Sequence, residues 1–416
     1  MSEIVLKYIC PVSDIIFTED FLFMRIQLSE HFTYRKLLRF TLPSVIMMVC
    51  TSIYGVVDGV FVSNFVGSDA FAAVNLIMPF LMVLGAVGFM LGTGGSALVA
   101  YTLGAGNEKR ANEIFSLLFY VLIGLGAVFT IGGIAFLTPM SRLLGADETM
   151  LPVCVSYGRI VLLGLIPYML QNTFQSFLVT AERLGLYVTI AAGLTNIVLD
   201  ALFVAVLQWG AEGAALATIL SQFVGGVIPL VYFLRPNSSK LRLGRTAFHG
   251  RALLKACANG SSEFMTNISM SVVNMLYNWQ LMRLMGSGGV AVYGVIMYVN
   301  FIFIAIFLGY SMGSAPIVGY HYGAGNRAEL RGLLRKSLCI ITVMSVMLTA
   351  AALLLARPLS LIFMSKEPTL LPVTIRAFSI YSLSFLMAGY NIYASSFFTA
   401  LNDGFLSALI SFARTL

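Results

Sequence analysis

This sequence predicts an all-α, polytopic membrane protein of two six-helix lobes related by a parallel internal repeat, with the second lobe truncated. Three observations carry that expectation. Of 416 residues, 59% are hydrophobic and only 10% charged, where a soluble globular chain carries about a quarter. Apolar stretches recur along the chain, each long enough as a helix to cross roughly 30 Å of hydrocarbon. Residues 67–185 also superpose on 286–404 at a constant offset of 219, without a gap. Under that offset Gly104-Ala105-Gly106-Asn107 returns as Gly323-Ala324-Gly325-Asn326, each three places after a tyrosine (Tyr101, Tyr320). Gly67-Ser68, Pro139, Asn172 and Gly185 return as Gly286-Ser287, Pro358, Asn391 and Gly404. A duplicated apolar chain can rock one half against the other around a shared cavity, so the pattern points to transport.

Breaks at polar, Gly and Pro positions place six spans in the first copy, at about 40–63, 71–100, 113–138, 153–181, 186–207 and 213–234. The second copy gives 256–282, 290–319, 334–356 and 373–400, then a helix opening at 405. The organisation expected is therefore a leader at 1–33, disordered in part, an N-lobe at 34–234, a linker at 235–252 and a C-lobe at 253–416. The leader lacks the order of a signal peptide, and the C-lobe stops about 35 residues short of a complete second copy. Arg35, Lys36, Arg39, Lys109, Arg110, Arg183, Arg235, Lys240, Arg242, Arg245, Arg251, Lys255, Arg327, Arg331, Arg335 and Lys336 fall on one side, and Arg142, Arg283, Arg357 and Lys366 on the other, with Arg159 and Arg376 near the same ends of their helices. The basic side is read as cytoplasmic, with the N-terminus and linker on it. The linker is expected to be a plain cytoplasmic loop. The GAGN motifs follow no strand and carry no Walker lysine, so their glycines are read as allowing tight turns at helix ends. The cysteines are scattered without ligand spacing and are read as small buried apolar residues.

Ionisable residues inside a span are costly and mark function by default. Asp58 lies late in span 1. Asn196 and Asp200 in span 5 are four residues apart and share a helical face. Span 6 adds Thr218 and, one turn on, Gln222. Asp58, Asn196, Asp200 and Thr218 can form an oxygen-rich pocket that takes up a proton or coordinates a hard cation such as Na⁺. The competing reading is packing alone, each Asp bonded to a neighbouring helix. Glu263 either faces a cavity of the second lobe or complements a helix N-terminus. The counterpart of Asp58 is Tyr277, so the acidic site is not duplicated. Pro43 is the proline expected to bend a helix usefully.

The order, spacing and duplication of these residues resemble the multidrug and toxic compound extrusion (MATE) family, in its MepA-like branch of bacterial drug/cation antiporters. The motifs that carry the resemblance are the stretch from Tyr34 to Asp58, FAAVNLIMPF, GTGGSALVA and GSSEF, and it spans about 33–416. The resemblance implies twelve helices in two lobes and export of organic cations and other drugs against H⁺ or Na⁺. It implies a first-lobe cation site at Asp58, Asn196, Asp200 and Thr218, and a second-lobe contact at Glu263, with Asn391 where some members carry an acid. We accordingly expect a monomeric, multi-pass protein of a bacterial cytoplasmic membrane. Its cargo would be small-molecule drugs or organic cations, its coupling ion H⁺ or Na⁺, with no cofactor, no nucleic-acid partner and no enzymatic activity. A lipid-linked oligosaccharide flippase and a non-transporting membrane protein are the competing readings.

Overall fold

In the computed structural model, residues 27–66, 68–146, 148–178, 182–235, 239–364 and 369–415 are described, and their regular structure is helical. The N-lobe runs Tyr34–Phe65 (α1), Ser68–Gly104 (α2), Glu108–Leu143 (α3), Leu151–Leu163 (α4), Leu165–Phe177 (α5), Glu182–Asp200 (α6) and Gly210–Leu234 (α7). The C-lobe runs Gly250–Gly323 (α8), Arg327–Met364 (α9), Leu371–Ser382 (α10), Phe385–Ala400 (α11) and Gly404–Thr415 (α12). Two of the expected spans are bent: α4 meets α5 at 53° and α10 meets α11 at 46°. The breaks, at Gly164 and at Leu383-Ser384, occupy equivalent places in the two copies.

The gap expected between residues 282 and 290 is the place where the chain reverses. Backbone helicity runs unbroken from Gly250 to Gly323. In a straight helix Asn274 and Tyr293 would stand about 28 Å apart. Instead Tyr293 Oη donates to Asn274 Oδ1 at 2.7 Å, and the Tyr277 and Tyr293 rings stack at 5.3 Å. α8 therefore folds back on itself between these residues, where Gly286, Gly288 and Gly289 lie. Its first arm, with Ser261, Ser262, Glu263, Asn267 and Asn274, is the most polar span. The apolar part of α8 is Val292–Gly323.

Each GAGN motif closes one helix and opens the next. Gly106 (φ 80°) and Gly325 (φ 69°) take the left-handed conformation that favours glycine. Asn107 and Asn326 then accept the backbone N–H of Arg110 and Glu329 at 3.0 and 3.1 Å, capping α3 and α9.

The lobes meet through these same helix ends. A Cβ on Gly104 would collide with the Tyr320 carbonyl oxygen, and one on Gly323 with that of Tyr101. These two contacts are counterparts under the repeat. A second reciprocal pair lies deeper: a Cβ on Gly94 would sit 2.9 Å from Gly260 Cα, and one on Gly313 would sit 3.0 Å from Thr41 Cα. Lipid tails are as apolar as leucine, so close backbone approach through small residues, not water exclusion, holds such helices together. The N-lobe has its own aromatic core, with Phe115, Phe119, Phe174, Phe177 and Phe233 buried together. In the C-lobe Phe303 stacks on Phe385 at 5.2 Å.

The expected leader lies mostly outside the described residues, and its described end packs against the C-lobe. Glu329 accepts the Phe32 N–H at 2.9 Å and pairs with His31, and Phe32 is fully buried. An apolar ring beside a lobe interface is buried in preference to remaining in water. Among the cysteines Cys154 is buried, but Cys339 is exposed on α9, where a lipid-facing position tolerates a small apolar side chain.

If the reciprocal glycine contacts hold the lobes together, Gly104→Val and Gly323→Val should destabilise alike, each by about 1–3 kcal/mol. Thermal unfolding of the detergent-purified protein measures this, and unchanged midpoints in both variants would refute the contact.

Candidate functional site

α6 packs between α1 and α7. Gly193 permits the approach of α1, since a Cβ there would lie 2.9 Å from Cδ1 of Tyr54. The Tyr54 hydroxyl lies near the side chains of Thr51 and Gln171. The acids stand further along the same helices, Asp58 one turn beyond Tyr54 and Asp200 two turns beyond Gly193. The Asp58 and Asp200 carboxyls face one another at interacting distance. Asp200 is fully buried, and neither of its carboxyl oxygens makes a hydrogen bond of regular geometry; Asp58 Oδ1 is buried and unpartnered as well.

α6 ends at Asp200 and continues as a π-helical turn, Ala201–Val206. Such turns are rare and concentrate at functional sites, because the widened turn releases side chains and carbonyls from the α-helical register. Nothing in the apolar run ALFVAV signals it.

The other two members of the expected set are placed differently. Asn196 is buried one turn before Asp200 on α6. Thr218 lies on α7 and donates its hydroxyl to the Ala214 carbonyl at 2.9 Å, leaving its oxygen lone pairs as acceptors. Gln222, one turn on, has its Oε1 buried without a partner. Two to three turns away along α6 and α7, a cavity of about 10 Å³, the size of one water, is bounded by Gln171, Gln175, Thr189 and Gly225. Two tyrosines approach the acids that counting ionisable residues had passed over. Tyr157 on α4 is close enough to feel both carboxylates, and Tyr298, on the second arm of α8, feels Asp58. The acid pair thus sits inside the N-lobe with one C-lobe side chain nearby. Three buried carboxyl oxygens without hydrogen bonds constitute a standing electrostatic cost, which a proton or a small cation removes.

In the second lobe, Glu263 is not in a first helical turn, because α8 begins at Gly250, more than three turns earlier. Glu263 therefore does not complement a helix N-terminus. Its electrostatic partner is Arg414 on α12, whose guanidinium also donates to Thr266 Oγ1 at 3.4 Å. No regular sequence spacing links residues 263 and 414, which is why sequence reasoning missed the pair. Asn391 is half-buried in α11. Pro43 lies inside α1, which is a continuous helix across it.

Comparison with known proteins bears on this geometry. The MatE family model matches residues 43–202 and 264–416. The multidrug export protein MepA of Staphylococcus haemolyticus is 22% identical over 391 residues, covering 92% of this chain and 85% of that protein. A crystal structure of MATE in complex with MaL6 superposes with a TM-score of 0.88 at 22% identity, over 96% of this chain and 89% of the other. A multidrug resistance MATE family transporter of the MOP superfamily, in an outward-facing conformation, superposes with a TM-score of 0.85 at 22% identity, over 92% and 86%.

If the acid pair is a binding site and not a packing element, Asp200→Asn should leave thermal stability equal or higher, since it removes an unpartnered buried charge. A fall of more than about 1 kcal/mol in the unfolding of purified protein would favour the packing role.

Proposed function

The chain belongs to the MatE family, and from that premise we propose that it exports amphipathic, often cationic, small molecules across a bacterial cytoplasmic membrane in exchange for H⁺ or Na⁺. The observation that carries this reading is the face-to-face pair Asp58 and Asp200 with unpartnered oxygens. Asp200 and Asp58 take the coupling ion, and Asn196 and Thr218 supply neutral oxygens to it. As a cation, Na⁺ fits a set of carboxylate, amide and hydroxyl oxygens; a proton needs only the two acids.

Coupling requires that ion and cargo favour different arrangements of the lobes, because a ligand shifts an equilibrium only by its differential affinity. Ion arrival on the acid pair relieves the charge there and reshapes α1 around Pro43, lowering affinity for cargo. Cargo departs, the lobes rock, and the ion leaves on the other side. We place the GAGN turns, the linker and the start of α1 in the cytoplasm, on the excess of Lys and Arg at that end. The glycine seals Gly104–Tyr320 and Gly323–Tyr101 are then the contacts that open when the cavity faces inward. Glu263 and Asn391 are second-lobe contacts for cargo, with Arg414 competing for Glu263.

A flippase for lipid-linked oligosaccharides would offer Arg or Lys to a pyrophosphate, and here Arg414 lies within electrostatic reach of the Glu263 carboxylate. In cells lacking other pumps, the wild-type chain should lower accumulation of a cationic dye, and Asp200→Asn should abolish that effect. Abolition by a protonophore identifies H⁺ as the coupling ion, and abolition by collapsing a sodium gradient identifies Na⁺. Wild-type resistance in Asp200→Asn would overturn the coupling role.

A further inference from the structure

The linker is not the plain loop that its composition suggests. Residues 239–249 lie along the first turns of α3, held chiefly through backbone groups. The Arg242 N–H donates to Asn112 Oδ1 at 2.7 Å, the Gly244 N–H to Ser116 Oγ at 3.0 Å, and Asn112 Nδ2 donates to the Lys240 carbonyl at 3.2 Å. Thr246 Oγ1 donates to the Glu113 carbonyl at 2.8 Å. Where strap and helix meet, the surface opens in a depression of about 310 Å³ bordered by Lys109, Asn112, Glu113, Arg242 and Arg245. Among the described residues, no carboxylate forms an ion pair with Lys109, Arg242 or Arg245. Glu113 is already engaged, by Arg110 at 3.2 Å and by His249 at 3.5 Å.

The face of α3 that forms the pocket continues away from it as an apolar stripe. Lys109, Asn112 and Ser116 are followed at helical spacing by Tyr120, Ile123 and Ile131, which are 53%, 36% and 72% exposed. Tyr120 Oη donates to the Gly244 carbonyl at 3.1 Å and so joins strap to stripe. At the end of the strap Phe248 is 75% exposed. A cationic pocket directly over a hydrocarbon-facing track has the profile of a molecule with an anionic head and an apolar tail. A free phosphate would use the pocket alone, whereas an anionic lipid would use both pocket and stripe.

We propose that this pocket seats the phosphate of an anionic phospholipid, with Lys109, Arg242 and Arg245 around the headgroup and an acyl chain along Tyr120, Ile123 and Ile131. Basic pockets at the end of transmembrane helices draw anionic lipid by charge and hold it by the chain. The strap connects the two lobes and leads directly into α8, so a lipid held there would bear on the segment that links them. The proposal stands apart from the choice of ion and cargo.

The test is native mass spectrometry of the full chain, purified in detergent and offered equal amounts of phosphatidylglycerol and phosphatidylcholine. Wild type should retain phosphatidylglycerol over phosphatidylcholine by about tenfold. Arg242→Gln with Arg245→Gln should bring the ratio near parity, and Arg142→Gln at the opposite end should leave it unchanged. The strap is held by backbone groups of residues 242 and 244, so these side-chain changes spare its hydrogen bonds. Arg242→Lys with Arg245→Lys, which keeps the charge, should retain most of the preference. Lys109→Gln, on α3 itself, should reduce it by about threefold and serves if the strap variant does not fold. Equal retention of both lipids by wild type, or an undiminished preference in the Gln variants, would overturn the site. Displacement of phosphatidylglycerol by inorganic phosphate to the level of the double Gln variant would assign the pocket to a free phosphate and overturn the lipid.

Discussion

A carboxylate deep among membrane-spanning helices is expensive, and two of them facing each other are more so, since desolvation and mutual repulsion add. Nearly everything near Asp58 and Asp200 follows from that constraint. A packing role would be expected to surround each acid with donors; here three carboxyl oxygens are buried without one. The helix carrying Asp200 also leaves α-helical register at that residue, and a glycine lets the neighbouring helix carry Tyr54 close against it. A site whose charge is unbalanced by its own neighbours must be balanced by something that arrives.

The lobes answer a different constraint. In lipid there is little hydrophobic gain from bringing two apolar helices together, so contact has to come from backbone approach and van der Waals packing. The repeat provides this twice over. Gly104 and Gly323 lie against each other's partner tyrosine carbonyls, and Gly94–Gly260 is matched by Gly313–Thr41. Such contacts bury no charge and form no directional bond, so they can part and reform without leaving polar groups stranded. The pairing of Glu329 with His31 and Phe32 adds a polar fastening at the same end.

Much of the fold and part of the candidate site could be read from the chain alone. The GAGN turns, with a left-handed glycine and an asparagine cap, depend on residues within a few places of one another, so their chemistry is local. Asn196 and Asp200 share a face by helical arithmetic. Contacts that join distant positions were not legible: Glu263 with Arg414, Tyr157 and Tyr298 near the acids, the strap over α3. The glycines at 286, 288 and 289 mark the place where the two arms of α8 fold back on each other, at the break expected between the two spans.

What the sequence determined by itself is the class, the duplication and the identity of the charged residues in the spans, because hydropathy, repeat offset and charge cost are properties of the chain. Only the tertiary structure decided which of those residues meet. Asp58 faces Asp200 because α1 packs on α6, and Glu263 turns to Arg414 because α12 lies against the first arm of α8. Both pairings depend on helix crossings between segments far apart in the chain, and no local periodicity encodes a crossing.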